Sequence, residues 1–367
     1  MKVLILSPLH RRKGEKIVKE NLLPETGLPY YQAQNFWYEG LRILGHDVRL
    51  FVYSGFNPEL DYYSLLLRSV SEKMGLRTPP IISFLPVWQT QKNLLKLAQE
   101  FVPEVVILSG NTDLIFPDTL VRIKKEYKSK LVLLNGLSPV ICATRTEKSL
   151  TPWFDFVFTN DEYHAVDWKM LGAKKAHALP VSAIDPAFCK PRILTTSEKL
   201  DLGCDISFVG SLSPNSLYSE RLRLLESLTQ FDLKIWSPNE QEILRNPKLS
   251  RFYQGQAFAE KMQKIFCATK INLNFHGHTM QAGGNLRTFE IPGCSGFELV
   301  DRVNPKWYRI GKELITFTSA TDLKHKITYY LSHASQRRNI AVAGYQRTLK
   351  EHTYTHRFSK MLKMLAT

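Results

Sequence analysis

Two glycines closely followed by an arginine and a glutamate mark the segment Gln281-Ala-Gly-Gly-Asn-Leu-Arg-Thr-Phe-Glu290. Glycine lets a partner come close to the backbone because no Cβ stands in the way. As a helix start, the segment would place unpaired N–H groups and the positive dipole end beside Gly283, Gly284 and Asn285. A diphosphate or sugar hydroxyls suit such a surface, and Arg287 would neutralise phosphate charge. Glu290 follows Arg287 by three residues, hence on the same helical face. Its carboxylate can accept from two vicinal hydroxyls, as in a ribose. A surface Arg–Glu pair on a glycine-rich helix start would share this pattern, but the set of groups tilts the reading toward binding.

Two further segments carry similar chemistry. Ser207-Phe-Val-Gly-Ser211 reads as a strand ending in Gly210 and Ser211, with Arg221 and Arg223 on the next helix. Exposed N–H groups and a guanidinium there can hold phosphate oxygens. An ordinary βα turn with solvent-facing arginines has the same appearance. Asn272-Leu-Asn-Phe-His276-Gly-His278 ends another strand. Its histidines lack the cysteine and carboxylate companions of a metal site, so no metal is expected. His276 fits better as a donor to a phosphate or sugar oxygen. Near the N-terminus, His10 follows the first strand and could act as general base or acceptor-binding group. Tyr30, Tyr31, Phe36, Trp37 and Tyr38 lie beyond it; they could stack on a sugar ring, though helical spacing is more typical of core.

The elements that must position these groups alternate strand and helix. Lys2–Ser7 is a short apolar run of buried-strand type, Tyr31–Leu44 has helical periodicity, and Asp47–Tyr53 is a second strand. Helices at Leu94–Phe101, Asp118–Tyr127 and Asp161–Leu171 alternate with strands at Val105–Ser109, Leu131–Leu134, Phe156–Thr159 and Ala176–Pro180. This predicts a doubly wound parallel sheet whose strand-end loops near Ser7, Ser109–Asn111, Asn135 and Thr159–Asp161 share one edge, where ligands bind in open α/β sheets. Prolines and hydroxyl residues interrupt the pattern at Asp185–Gly203, and a new strand opens at Asp205. The division read from this is an N-terminal domain over 1–185, a linker over 186–204, a C-terminal domain over 205–349 and a final helix over 350–367. Packing of that last helix on the first domain is left open.

A length of 367 residues suits two domains. Lysine and arginine outnumber aspartate and glutamate by 49 to 34, a formal charge of +15 that favours anionic partners. Lys124, Lys125, Lys128 and Lys130 are expected on one helix as part of a scattered basic surface. With no basic run, zinc spacing or aromatic RNP-like block, nucleic acid is not an expected partner. Five cysteines form no C-x-x-C pair, which argues against zinc or a disulfide framework and for a reducing compartment. The longest apolar stretch, around Ile81–Trp88, contains Pro86 and is too short to span a bilayer. A cytoplasmic protein is expected, with peripheral membrane contact left open.

Together these segments resemble the group-one glycosyltransferases of the GT-B fold, and among them the spore-maturation CgeB-like branch. Asn285-Leu-Arg-Thr-Phe-Glu-Ile-Pro-Gly-Cys-Ser-Gly296 is similar to that branch's N-x-R-x-F-E-x-x-A-x-G block. Gly311–Ile315, Asp322-Leu323, Ile327–Leu331 and His352–Arg357 continue the likeness, as do Ser207–Ser211 and the Leu179–Phe188 segment. The first half matches in outline only, through Gly45-His46-Asp47-Val48.

The resemblance implies two Rossmann-like doubly wound domains facing each other across a cleft. It implies an enzyme that transfers a sugar from a nucleotide-diphosphate sugar, such as a UDP-sugar, without metal or other cofactor. The acceptor (glycan, protein or small molecule) would meet the first domain near His10. The donor would be held by the second domain through Gly210, Ser211, Arg221, Trp236, Tyr253, His276, Gly283, Gly284, Asn285, Arg287 and Glu290. In this reading His10 and Arg287 serve catalysis, Glu290 grips the ribose, and Trp236 and Tyr253 flank the base. One departure stands out: the broader family's E-x7-E pair would place its first glutamate at Ala282. Glu290 and Glu298 have that spacing but not that placement. A GT-B scaffold that binds without turnover, as a coat-associated protein, is the alternative.

Overall fold

The computed structural model describes residues 1–9, 23–53, 80–110, 114–213 and 217–366. The chain divides into two compact units. One comprises Met1–Thr159 with His164–His177, the other Asn160–Tyr163 with Ala178–Thr367.

The first unit is built on six parallel strands: β1 (Lys2–Pro8), β2 (Asp47–Tyr53), β3 (Val105–Ser109), β4 (Lys130–Leu134), β5 (Phe156–Phe158) and β6 (Ala176–His177). They lie in the order β2-β1-β3-β4-β5-β6. Val3 pairs with Val48 on one side and Val105 on the other. Val3 to Leu6 and Val106 to Leu108 are wholly buried, as a parallel sheet covered by helices requires. The strand ends at Ser7, Ser109, Leu134 and Phe158 therefore share one edge.

The helix expected from Leu94 begins at Pro80 and takes in the apolar stretch, Pro86 included. Among the described residues no helix is long and apolar enough to cross a membrane. The four lysines do not share a helix. Pro117–Tyr127 ends at Lys128, which adopts a left-handed backbone with φ 55°, and Lys130 opens β4. Only Lys124 and Lys125 lie on that helix.

The second unit repeats the plan with β7 (Ile206–Val209), β8 (Leu233–Trp236), β9 (Ile271–Asn274), β10 (Glu298–Val300) and β11 (Ile315–Thr316). All pairings are parallel, in the order β11-β10-β9-β7-β8. Phe208, Ile235, Leu273 and Leu299 point into one core and Val209, Trp236 and Val300 into the other, so both faces are covered. The strand order reverses between β7 and β9. In open α/β sheets ligands favour the carboxyl ends of strands at such a reversal.

The stretch read as linker contains a helix, Thr196–Leu202, opened by a capping box. Thr195 Oγ accepts from the Glu198 N–H at 3.2 Å, and Glu198 accepts from the Thr195 N–H at 2.9 Å. The Thr-Thr-Ser-Glu order carries that signature. The closing helix, Tyr354–Leu365, belongs to the second unit. Its entry is fixed by two hydrogen bonds, Ile184 N–H to His352 O at 3.1 Å and Tyr354 N–H to Ile184 O at 3.0 Å. The Arg357 guanidinium, buried over the Phe289 ring at 5.2 Å, anchors it.

Candidate functional site

The carboxyl ends of β7 and β9 are joined through one short helix, Arg287–Gly293. Pro292 sits near its end, consistent with its brevity. Arg287 is the link: its Nε donates to Val209 O at 3.2 Å, and its Nη1 pairs with Glu290 Oε2. The i, i+3 geometry read from the sequence is thus present, and the pair stands against the last residue of β7. Glu290 engages Arg287 through one oxygen, and a carboxylate can accept at both.

The turn after β7 is held rigidly. Gly210 N–H donates to Trp236 O at 3.1 Å. Ser211 Oγ and Leu212 N–H both donate to Asn239 Oδ1 at 2.9 Å. Arg221 returns from the next helix to donate from Nη1 to Ser211 O at 2.8 Å, with its guanidinium 4.1 Å from the Tyr218 ring centre. Arg221 is not a solvent-facing arginine: it is 8% exposed, and its Nε has no partner among the described residues. Burial brings it down to about 10, with Arg287 adding to the effect and Tyr218 and Asp301 opposing it. It remains a cation at neutral pH. Arg223, by contrast, is exposed and paired with Glu220.

The end of β9 is a polar network. Asn285 donates from Nδ2 to Asn274 Oδ1 at 2.7 Å and accepts from Thr288 N–H at 3.2 Å, capping the short helix. His276 binds Asp301 twice, through its backbone N–H at 3.1 Å and its ring Nδ1 at 2.6 Å. A carboxylate only accepts, so Nδ1 carries a proton. Nε2 faces Thr288 Oγ at 3.4 Å. Burial pushes Asp301 up, but His276 and Arg302 outweigh it and hold the carboxyl below its usual range. Beneath lies Glu298, wholly buried, accepting from Asn274 Nδ2 at 2.7 Å. Burial pushes it up to about 8, so at neutral pH it is mostly protonated.

Gly283 and Gly284 have a local cause for being glycine. A Cβ on Gly283 would stand 2.1 Å from Asn160 O, and one on Gly284 would stand 2.8 Å from the Trp307 ring. Ahead of them, Asp161 Oδ2 accepts from the backbone N–H groups of Gln281 at 2.7 Å and Ala282 at 2.8 Å. Asp161 is buried and fixes the loop that leads to Arg287.

The structure thus brings Gly210, Ser211, Arg221, Asn285, Arg287 and Glu290 to one edge of the sheet, while the ring of His276, read from the sequence as a donor to phosphate or sugar, is buried at that edge with both nitrogens facing Asp301 and Thr288. Trp236 is placed otherwise: its indole is 1% exposed in the core behind β8, and only its carbonyl serves the turn. Tyr253 lies beside the end of β8, with its hydroxyl donating to Ser237 O at 3.2 Å. His10 lies outside the described residues. Sequence reasoning missed Asn239, Asn274, Thr288 and Asp301, and named Asp161 only as part of a strand-end loop. Asn239 in Ser-Pro-Asn and Asp301 after an apolar strand are the kind of strand-end residue it used elsewhere. The role of Asp161 as acceptor for residues some 120 positions away left no local signal.

A protein family described as glycosyl transferase-like matches residues 220–363. The spore protein CgeB of Bacillus subtilis (strain 168) is 25% identical over 122 residues, spanning 32% of this chain and 34% of that protein. The chain thus covers about a third of that relative's length. Among solved structures, Anabaena Alr3699/HepE in complex with UDP-glucose is similar with a TM-score of 0.64 at 12% identity, covering 100% of this chain and 99% of that one. Sucrose-phosphate synthase from Thermosynechococcus elongatus gives 0.62 at 11% identity, over 99% and 98% of the two chains. A glycosyltransferase from Rickettsia africae ESF-5 gives 0.62 at 12% identity, over 99% and 97%.

Proposed function

We propose, from a GT-B fold whose residues 220–363 form a glycosyl transferase-like domain, that this protein transfers a sugar from a nucleotide-diphosphate sugar to an acceptor. The observation that carries this reading is Arg287, which joins the end of β7 to the helix of Glu290 at the point where the strand order reverses. A donor diphosphate is placed against the Gly210–Ser211 turn, with Arg287 and Arg221 supplying positive charge. Glu290 accepts from the ribose hydroxyls with its second oxygen. The bound UDP-glucose of the Anabaena structure makes a UDP-sugar the first donor to test.

As the glycosidic bond breaks, negative charge grows on the leaving diphosphate. Fixed cations lower the barrier by stabilising that charge where it develops. Arg287 is fixed at two points, so little reorganisation accompanies the step. This reading assigns the charge neutralisation to arginines and needs no resident metal. The seven-residue helix contributes less than a long one would, and its first-turn Thr288 N–H is already capped by Asn285.

The test is a binding and turnover panel of UDP-, GDP-, ADP- and CDP-sugars with the full chain, in the presence of a metal chelator. Saturable binding of one nucleotide class, with release of its diphosphate, is expected. No binding across the panel, or affinity indifferent to Arg287→Ala and Glu290→Ala, would reject the placement.

A further inference from the structure

Three of the five cysteines gather at the far end of the Arg287–Gly293 helix. The Cys189 and Cys294 sulfurs are 3.6 Å apart, and the Cys267 sulfur lies 3.4 Å from the Cys294 carbonyl oxygen. Gly293 makes room for this: a Cβ there would stand 3.0 Å from the Cys189 sulfur. Cys189 and Cys294 are buried, whereas Cys267 is partly exposed. Cys267 lines a cavity of about 280 Å³ together with Lys270, Arg337 and Arg338. From the other side, the Arg192 N–H donates to its sulfur at 3.3 Å.

Reactive cysteines are partly exposed thiols in electropositive surroundings, with a second thiol close by. We propose that this cluster is a hydroperoxide-oxidised modification site, with Cys267 as the attacking thiol and Cys294 as the resolving one. The Cys267 thiolate attacks one peroxide oxygen. The O–O bond breaks, and the departing oxygen takes a proton to leave as water or an alcohol. Cys267 is then a sulfenic acid. The Cys294 sulfur attacks the Cys267 sulfur, the S–O bond breaks, and the hydroxyl leaves as water with the Cys294 proton. Two thiols have lost two electrons, one peroxide has gained them, and a Cys267–Cys294 disulfide remains.

The protein contains its own control. Cys142 is also partly exposed, but burial and the Glu147 charge push its thiol up. The neighbouring Cys294, helped by Arg192, outweighs burial and holds the Cys267 thiol below its usual range. A thiol held lower is ionised in larger fraction at pH 7, and the thiolate is the nucleophile.

The experiment exposes the reduced full chain to hydrogen peroxide at pH 7 and maps products by peptide mass spectrometry. In Cys189→Ser, where only one buried partner remains, a Cys267–Cys294 disulfide is expected. In Cys294→Ala, a dimedone adduct on Cys267 is expected to form at least 10-fold faster than on Cys142. Iodoacetamide competition on the unsubstituted protein gives the same comparison without risk to folding. Equal or faster reaction at Cys142, or no disulfide between Cys267 and Cys294, would overturn the assignment.

Discussion

The two sheets share a plan yet present different chemistry at their carboxyl edges. In the second unit that edge holds Arg221, Arg287, Glu290, His276 and Asp301. In the first, the described residues offer amides and hydroxyls. Gln32 donates to Ser7 Oγ at 3.1 Å and to Pro8 O at 2.8 Å, and Gln34 donates to Ser109 Oγ at 2.7 Å. The buried Oε1 of Gln34 has no partner among the described residues. Asn135 is tied to Glu147 at 3.1 Å. A fold therefore does not decide what its edge binds; the side chains at the strand ends do. The charged edge of the second unit suits an anionic ligand.

The contrast fails first if Arg287→Ala leaves nucleotide-sugar affinity intact. Loss of a charged hydrogen bond of about 1.5–3 kcal/mol should weaken binding by roughly 10- to 100-fold, read by titration calorimetry. Gly283→Ala tests the scaffold beneath the site. Its Cβ would meet a backbone oxygen that cannot swing away, so a loss of about 2 kcal/mol in urea unfolding is expected. Glu290→Gln keeps the shape but loses the charge, and a loss of about 1 kcal/mol, roughly fivefold in affinity, should follow.

A further effect concerns pH. Glu298 holds its proton up to about 8 in the fold, against about 4.3 for an unfolded glutamate. Between those values the folded state binds more protons, so stability falls as pH rises. Glu298→Gln should flatten that decline in melting temperature between pH 6 and 8; an unchanged slope would mean the carboxyl is ionised in the fold. Smallest of all, Gln34→Ala should change donor affinity less than twofold, and a larger loss would erase the distinction between the edges.

Much of this was legible in the sequence where a function leaves a local pattern. The alternation of strands and helices gave both sheets, and Gly-Ser, Asn-x-Arg and Arg-x-x-Glu placed most of the charged edge. Trp236 misled because its position beside the strand end says nothing about which face its indole takes; alternation along β8 sends it into the core. The helix at Thr196–Leu202 was hidden because hydroxyl residues mark both loops and caps, and only the glutamate three residues on distinguishes them. The role of Asp161 was unreadable for a deeper reason: its partners are set by tertiary folding, and no spacing rule connects residue 161 to residue 281.

That last feature bears on how the protein can be taken apart. A fragment begun at Ala178, where the longer run of the second unit starts, would discard Asp161 with the rest of the N-terminal chain. The Gln281 and Ala282 amides would lose their shared acceptor, and the stem of the Arg287 loop would be left to water. Such a truncation should express as a weaker and looser protein, whatever its sheet retains, so the half proposed to bind the donor is best studied with the whole chain attached.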